Sequence, residues 1–129
     1  MKDSADLSQF PITQYLDQIC NALKTSPSRF LILTAETAAG KSTVLPLALL
    51  KNFNGKIIMT EPRRIAVLGV ANRLSELCDD NVTGESDFDE NKNPIGYKIH
   101  LESKITRETR LEVVTEAILV RQLQSDPAL

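Results

Sequence analysis

Apolar residues recur along the chain in two patterns, one typical of helices and one typical of buried strands. Apolar positions three or four residues apart predict helices over residues 11–23, 41–51, 65–77 and 115–124. Short apolar runs predict strands over 30–33, 56–60, 96–101 and 110–114, and the first two carry almost no polar face. Strands that alternate with helices are typical of an α/β fold with a mainly parallel sheet.

Two local features refine this picture. Pro46 falls in the second turn of the helix predicted over 41–51, so we expect strain or a slight kink there. The stretch 79–93 is acidic and lacks apolar periodicity, which favours a solvated loop. A calcium loop around Asp87–Glu90 is the alternative, but the spacing of an EF-hand is absent.

The strand predicted over 30–33 runs into a loop of small residues that ends in Gly-Lys-Ser, just before a predicted helix. This order is typical of a phosphate-binding loop, with Ala35 in place of the first glycine. Backbone N–H groups of such a loop and the following helix converge on an anion. Gly40 would supply backbone torsions that are closed to other residues, Lys41 would reach the β- and γ-phosphates of ATP, and Ser42 would ligate Mg²⁺.

The candidate nucleotide-binding residues are Glu36, Thr37, Ala38, Ala39, Gly40, Lys41, Ser42 and Thr43. The alternative is a tight turn with a surface lysine.

Composition limits the remaining possibilities. The chain has 129 residues, 42% of them hydrophobic and 25% charged, which is ordinary for one modest globular domain. Its net charge of −2 implies that any nucleic-acid contact depends on local basic groups. The wide separation of Cys20 and Cys78 in the sequence favours two buried thiols over a disulfide. No signal peptide or membrane-spanning run is visible in the sequence. We therefore expect a cytoplasmic protein.

Four segments taken together resemble the first RecA-like domain of DEAH-box helicases, especially the bacterial HrpB-like group. They are Ala-Glu-Thr-Ala-Ala-Gly-Lys-Ser-Thr at 35–43, Thr-Glu-Pro-Arg-Arg at 60–64, Gly-Tyr-Lys-Ile-His-Leu-Glu-Ser at 96–103, and the stretch 110–127 that contains Thr-Glu-Ala-Ile-Leu. The resemblance implies a P-loop, RecA-like three-layer sandwich with an incomplete sheet. It covers nearly the whole chain from Phe10 onward and so implies a partial ATP-binding domain over 10–129. The polar residues before it lead us to expect a disordered N-terminus over 1–9.

The resemblance also assigns residues to nucleic acid and to the nucleotide base. Residues 60–64 match a motif that contacts the sugar-phosphate backbone of a single strand of RNA or DNA, through Pro62, Arg63 and Arg64. Thr115 and Glu116 match a second backbone contact. Arg73 occupies the place of an arginine that stacks on the nucleotide base. The same residues have simpler interpretations, and the alternatives stay open: solvated loop charges for the arginine pair, a surface ion pair for Arg73, and a plain helix cap for Thr115.

One residue that differs from the family pattern, and motifs of the family that are missing from these residues, bear on function. His100 stands where the family has an arginine, which favours a surface residue there. The DExH motif, the second RecA-like domain and its arginine fingers are not among these 129 residues. We therefore expect the chain to represent part of an ATP-dependent, RNA-directed helicase that uses ATP and Mg²⁺, with Lys41 as its catalytic residue, and to be inactive by itself.

Two other functions remain as alternatives. One is a catalytically inactive piece that binds nucleotide or nucleic acid. The other is a small-molecule kinase, which would need an arginine-bearing lid, and nothing after Asp79 resembles one.

Overall fold

The structure, a computed structural model, describes residues 11–28, 30–36, 40–82 and 93–128, and only the backbone of residues 79–82. The chain divides into two compact units, Met1–Asn54 and Gly55–Leu129. The predicted disordered N-terminus and most of the acidic stretch lie outside the described residues. None of the described helices is long and apolar enough to cross a membrane.

In the part of the first unit that the structure describes, there are three helical segments. A 3₁₀ turn over Pro11–Tyr15 leads into α1, Leu16–Thr25, and α2 spans Val44–Asn52. Both predicted helices are therefore confirmed, although the second begins three residues later than the sequence pattern suggests. The helices pack through a small apolar cluster whose members are Ile12, Leu16, Ile19, Leu23, Leu33, Val44 and Leu45.

The late start of α2 corrects the expectation for Pro46. Because the helix begins at Val44, Pro46 lies in its first turn rather than its second. The first N–H groups of a helix have no intrahelical acceptor, so a proline there removes no hydrogen bond. The predicted strain or kink at Pro46 therefore has no basis in the structure.

The strand predicted over 30–33 is not formed. Residues 30–36 are neither helix nor strand, and the side chains of Phe30 and Ile32 are 69% and 77% exposed. Only Leu33 of this run packs against the apolar cluster of the first unit. The sequence prediction was wrong here because an apolar run becomes a strand only when a neighbouring strand accepts its backbone hydrogen bonds.

The second unit is a sheet with helices packed against it. Its elements in chain order are β1, Ile57–Glu61; α3, Arg64–Val82; β2, Ile95–Ile99; β3, Glu102–Lys104; β4, Leu111–Thr115; and α4, Glu116–Ser125. The four described strands lie in the order β1-β4-β2-β3. The β1–β4 and β4–β2 pairs are parallel, whereas β2 and β3 form an antiparallel hairpin. The predicted mainly parallel α/β sheet is thus confirmed.

Burial explains why this sheet forms. The core side chains Val67, Ala71, Leu74 and Leu77 of α3 are all buried, and this helix packs against β2 and β4. Leu111, Val113 and Val114 of β4 are completely buried, as expected for a central strand of a parallel sheet. Asn93 joins the layers, since its side chain donates to Ser75 Oγ at 3.0 Å and accepts from the Ile95 amide at 3.0 Å.

Two details of α3 correct the sequence analysis. The helix continues to Val82, so residues 79–82 are helical rather than part of an acidic loop. Ile65 was expected on the apolar side of the helix, but it is 84% exposed. The short strand β3 was not predicted, because all three of its residues are exposed and polar.

The β2–β3 hairpin depends on a glycine and on one side-chain hydrogen bond. A Cβ atom at Gly96 would lie 2.6 Å from the carbonyl oxygen of Lys104 and 2.8 Å from Thr109 Cγ2. Across the hairpin, the Tyr97 hydroxyl donates to Glu102 Oε1 at 2.7 Å. This hydrogen bond, with smaller effects of burial and of the carboxylate charge, raises the pKa of Tyr97 above its ordinary value of 10.0.

We predict opposite effects for two glycine-to-alanine substitutions. Gly96→Ala should lower the free energy of unfolding by about 1–3 kcal/mol, because the added methyl group collides with backbone. Gly69→Ala should raise it by roughly 0.4–1 kcal/mol, since a Cβ at this exposed position of α3 meets nothing within 4 Å. Urea denaturation followed by circular dichroism measures both. Equal effects of the two substitutions would contradict the close approach at Gly96.

We also predict a pH effect at Tyr97. In a Tyr15→Phe background, Glu102→Gln should lower the pKa of Tyr97, which the phenolate absorbance reports, whereas Glu108→Gln should leave it unchanged. Because the pKa is raised in the folded state, the stabilisation from this hydrogen bond is present below about pH 10 and is lost as the pH rises through the folded pKa. An unchanged titration in Glu102→Gln would refute this assignment.

Candidate nucleotide and nucleic-acid site

The end of the predicted phosphate loop is built around Gly40. Its φ angle is 102°, a conformation that side-chain-bearing residues rarely adopt. Its carbonyl oxygen accepts from the amides of Thr43 at 3.3 Å, Val44 at 2.9 Å and Leu45 at 3.2 Å. The sequence expectation that glycine is needed here for its torsions is therefore met. The three hydrogen bonds fix residues 40–43 against the first turn of α2.

Lys41 and Ser42 lie between this glycine and the helix, and both are exposed. Within the described residues, no hydrogen bond occupies their amides or side chains. They are thus available to an anion. Glu36 is exposed and Ala35 and Thr43 are half-buried, whereas Thr37, Ala38 and Ala39 lie outside the described residues.

The described residues offer few ligands for the Mg²⁺ ion that is expected with a nucleotide. Among the described residues, no three His, Cys, Asp or Glu side chains are grouped to hold a metal ion. The Ser42 hydroxyl fits Mg²⁺ only as one ligand beside phosphate oxygens and water, which is the usual way that Mg²⁺ binds to nucleotide enzymes.

The second unit brings the two predicted nucleic-acid segments together. In the parallel β1–β4 pair, Glu61 lies opposite Thr115, and both strands end at this point. Pro62 and Arg63 then lead into α3, while Glu116 begins α4 directly. Because neighbouring strands are about 4.8 Å apart, the two strand-to-helix junctions are adjacent at one edge of the sheet.

The chemistry of this edge suits a phosphate backbone. Pro62, Arg63, Arg64 and Glu116 are all exposed. The N-termini of α3 and α4 both lie here, and helix N-termini attract anions through their free N–H groups and dipole. Two arginines beside two helix N-termini provide donors for phosphate oxygens, whereas Glu116 opposes an anion on the α4 side.

Thr115 also has a structural role. Its Oγ1 accepts from the amide of Ile118 at 3.4 Å, so it is the N-cap of α4. The predicted cap is confirmed, and Glu116 in the first turn adds a favourable charge next to the helix dipole. The cap leaves the other lone pair of the hydroxyl free for a second contact.

The surroundings of Arg73 and His100 match the simpler interpretations that the sequence offered for them. Arg73 is exposed and its guanidinium lies 3.6 Å from a carboxylate oxygen of Glu76, one turn along α3. This ion pair is the alternative that the sequence left open. His100 is exposed, as expected, and precedes Leu101 in the turn between β2 and β3.

The sequence did not identify Ile65 and Leu101, which are the most exposed large apolar side chains in the described part of this unit. Ile65 lies next to the arginine pair, and Leu101 is 93% exposed at the tip of the hairpin with a φ angle of 66°. A leucine with positive φ is unusual. Nothing in the local sequence signals it, because the two-residue loop His100–Leu101 lacks the glycine or asparagine that normally marks such a turn.

Together, an open, mostly parallel sheet with covering helices and a glycine-lysine-serine loop that starts a helix define the chain as an incomplete P-loop domain of the RecA-like class. No protein-family model matches the chain. Known proteins nonetheless resemble it closely. ATP-dependent RNA helicase HrpB of Escherichia coli strain K12 is 42% identical over 125 residues, and human ATP-dependent RNA helicase DHX29 is 34% identical over 131 residues.

Solved structures agree with these relatives. The crystal structure of the Escherichia coli DEAH/RHA helicase HrpB matches with a TM-score of 0.78 and 41% identity over 93% of this chain. The chain is therefore homologous to a segment of the DExH/DEAH RNA helicases, which confirms the resemblance in its motifs. The Escherichia coli match covers 95% of this chain but 14% of that relative, and the human match covers 94% of this chain but 9% of that relative.

The capping role of Thr115 leads to a specific prediction. Thr115→Ala should lower the free energy of unfolding by about 1 kcal/mol, because the amide of Ile118 loses its acceptor. Thr115→Ser keeps an oxygen at the same place and should retain most of this stability. Urea denaturation monitored by helical circular dichroism distinguishes the two variants. A serine variant as unstable as the alanine variant would exclude a capping role.

Proposed function

We propose that this chain is the part of an ATP-dependent RNA helicase that binds the phosphates of ATP and one side of a single-stranded RNA backbone. The observation that supports this most directly is the pairing of Glu61 with Thr115. It sets the arginine loop beside the threonine junction, so two separate motifs form one surface. The described geometry of Gly40 supports the nucleotide half of the proposal.

In this proposal the phosphate loop acts by position and charge. The amides of Lys41 and Ser42 and the Lys41 ammonium donate to oxygens of the β- and γ-phosphates, where negative charge is concentrated. Mg²⁺, when bound, would neutralise the same oxygens, with Ser42 as its protein ligand. Glu36 and Thr43 border this site. Arg73 would contact the base only after leaving its ion pair with Glu76.

The proposed RNA contact is independent of base sequence. Arg63 and Arg64 carry positive charge at a helix N-terminus, and Pro62 and Thr115 shape the surface between them. Donors of this kind position a backbone without reading bases. Glu116 would limit how closely a phosphate approaches α4.

A complete helicase needs more than these contacts. The chain spans about 14% of the length of the Escherichia coli relative. We propose that, in a longer protein of that type, a DExH motif supplies the carboxylates for hydrolysis and a second RecA-like domain closes over ATP. Cys20 and Cys78 are both present as thiols rather than as a disulfide, which supports a reducing compartment such as the cytoplasm as the place of action.

ATP binding tests the nucleotide half. Lys41→Ala should weaken ATP binding by about tenfold or more, because a charge-assisted hydrogen bond contributes roughly 1.5–3 kcal/mol. Lys51→Ala, an exposed lysine in the last turn of α2, is the matched control and should bind ATP like the parent chain. Isothermal titration with Mg²⁺ present measures both. Equal affinities in the two variants would argue against the phosphate loop.

RNA binding tests the other half. The double variant Arg63→Ala, Arg64→Ala should bind single-stranded RNA of any sequence more weakly. Its plot of log affinity against log salt should be less steep by about 1.4, because each lost phosphate contact removes roughly 0.7 from the slope. Arg107→Ala, in an exposed turn, is the control and should change neither quantity. An unchanged salt slope in the double variant would refute backbone contact.

Turnover separates the two candidate functions of the 129 residues by themselves. We expect no ATP hydrolysis with or without RNA, because the DExH motif that would supply the carboxylate base for the attacking water is not among these 129 residues. RNA-stimulated hydrolysis that disappears in Lys41→Ala would show instead that the chain is itself an enzyme.

A further inference from the structure

A buried carboxylate in the sheet has no part in the proposed function. The side chain of Glu112, in the central strand β4, is 2% exposed. Its Oε2 lies 2.7 Å from the ammonium of Lys56, just before β1, and its Oε1 lies 3.9 Å from that of Lys98 in β2. One carboxylate therefore joins three neighbouring strands. The two lysines are about half and one-third exposed.

The two lysines of this cluster lie at a cavity beside α4. Lys56 and Lys98 border this cavity of about 430 Å³, and residues of α4, among them Ile118, Arg121 and Gln122, line it as well. The lysine ammonium groups thus keep contact with solvent while the carboxylate does not. A carboxylate in this position needs both partners, because an unpaired buried charge is strongly unfavourable.

The apolar pattern alone specifies the register of these strands poorly. Residues 57–59 of β1 and 113–114 of β4 are apolar on both faces. When only one face is apolar, a slip of one residue exposes the apolar side chains, and that cost fixes the register. Strands that are apolar on both faces lack this protection. Glu112 is the one charged residue within β4.

The positions of the three charged side chains distinguish between registers that the apolar pattern does not distinguish. In the observed register Glu112 lies opposite Ile58 and Gly96, so Lys56 and Lys98 are diagonal neighbours on the same face. A slip of one residue would turn the carboxylate toward the opposite face, among the apolar side chains of α3. A slip of two would move it by about 7 Å and away from one of the lysines.

We propose that Glu112 is a positioning residue: held between Lys56 and Lys98, it fixes the register of β1, β4 and β2. A further consequence rests on the proposed function. The same register places Glu61 opposite Thr115, so the cluster sets the spacing between the arginine loop and the threonine junction at the far end of the strands.

Apolar replacement of the whole cluster tests this proposal. The triple variant Lys56→Met, Glu112→Met, Lys98→Met should still fold, because well-packed apolar side chains often replace a buried ion pair without loss of stability. Its ¹⁵N-labelled amide spectrum should show more than one set of peaks for β1, β4 and β2, with cross-strand nuclear Overhauser contacts from more than one register. The parent chain and the exposed control Lys51→Met, Glu108→Met should show one set, including contacts between Met59 and Val113.

Further variants make every outcome decisive. The charge-reversed variant Lys56→Glu, Glu112→Lys, Lys98→Glu should restore a single register, and Glu112→Gln should show the heterogeneity in part. A triple methionine variant with one native register would overturn the proposal. One that is unfolded by circular dichroism would also do so, because the cluster would then act on stability rather than register. None of these measurements uses RNA, so a failure of the proposed RNA contact would leave this result unaffected.

Discussion

The parallel pairing of β1 with β4 is the interaction on which the second unit depends. It joins Ile57–Glu61 to Leu111–Thr115, and the paired residues are 54 positions apart in the sequence. The Ile57 amide donates to the Arg110 carbonyl at 2.7 Å and so begins the ladder. Because both strands point the same way, their C-terminal ends and the helices that follow meet at one edge. A site assembled from distant segments is a direct consequence of this topology.

Buried side chains and candidate ligand-binding groups occupy different parts of the sheet. The middle of the sheet is apolar and closed, with Leu111, Val113 and Val114 inaccessible to solvent. The junctions at the C-terminal edge carry exposed arginine and proline side chains and a half-buried threonine. A rigid scaffold with polar loops at one edge is how open α/β sheets usually present ligand-binding groups. The proposed RNA-binding surface follows this arrangement, and the buried Glu112 lies within the scaffold below it.

The sequence predicted the second unit well. Its periodic segments became α3 and α4, and its apolar runs became β1, β2 and β4, with boundaries shifted by one residue or a few. Thr115 was predicted as a cap and is one. These successes share a cause, since helical periodicity and capping are encoded within a few neighbouring residues. The antiparallel strand β3 was not predicted, because its exposed polar residues carry no such periodicity.

The first unit was predicted less well, for a physical reason. Whether 30–33 forms a strand depends on hydrogen-bonding partners elsewhere in the chain, and no local pattern reports them. The start of α2 was also misplaced. The carbonyl oxygen of Gly40 accepts hydrogen bonds from the amides of residues 43–45, so residues 41–43 form a turn before the helix begins. For the candidate site, sequence motifs supplied the residues on which the proposals rest. They left the ion pair of Arg73 as one of two alternatives, and they could not give the positive φ angle of Leu101 or the buried cluster around Glu112.

The three amides gathered by the Gly40 carbonyl have a consequence for how an anion would meet this loop. Their hydrogen bonds are made within the chain, so residues 40–43 take their shape during folding. A ligand arriving at Lys41 and Ser42 would then find this turn already ordered and would lose little affinity to freezing its backbone. Preorganisation of this kind is independent of the ligand's identity, and it comes from a single residue without a side chain.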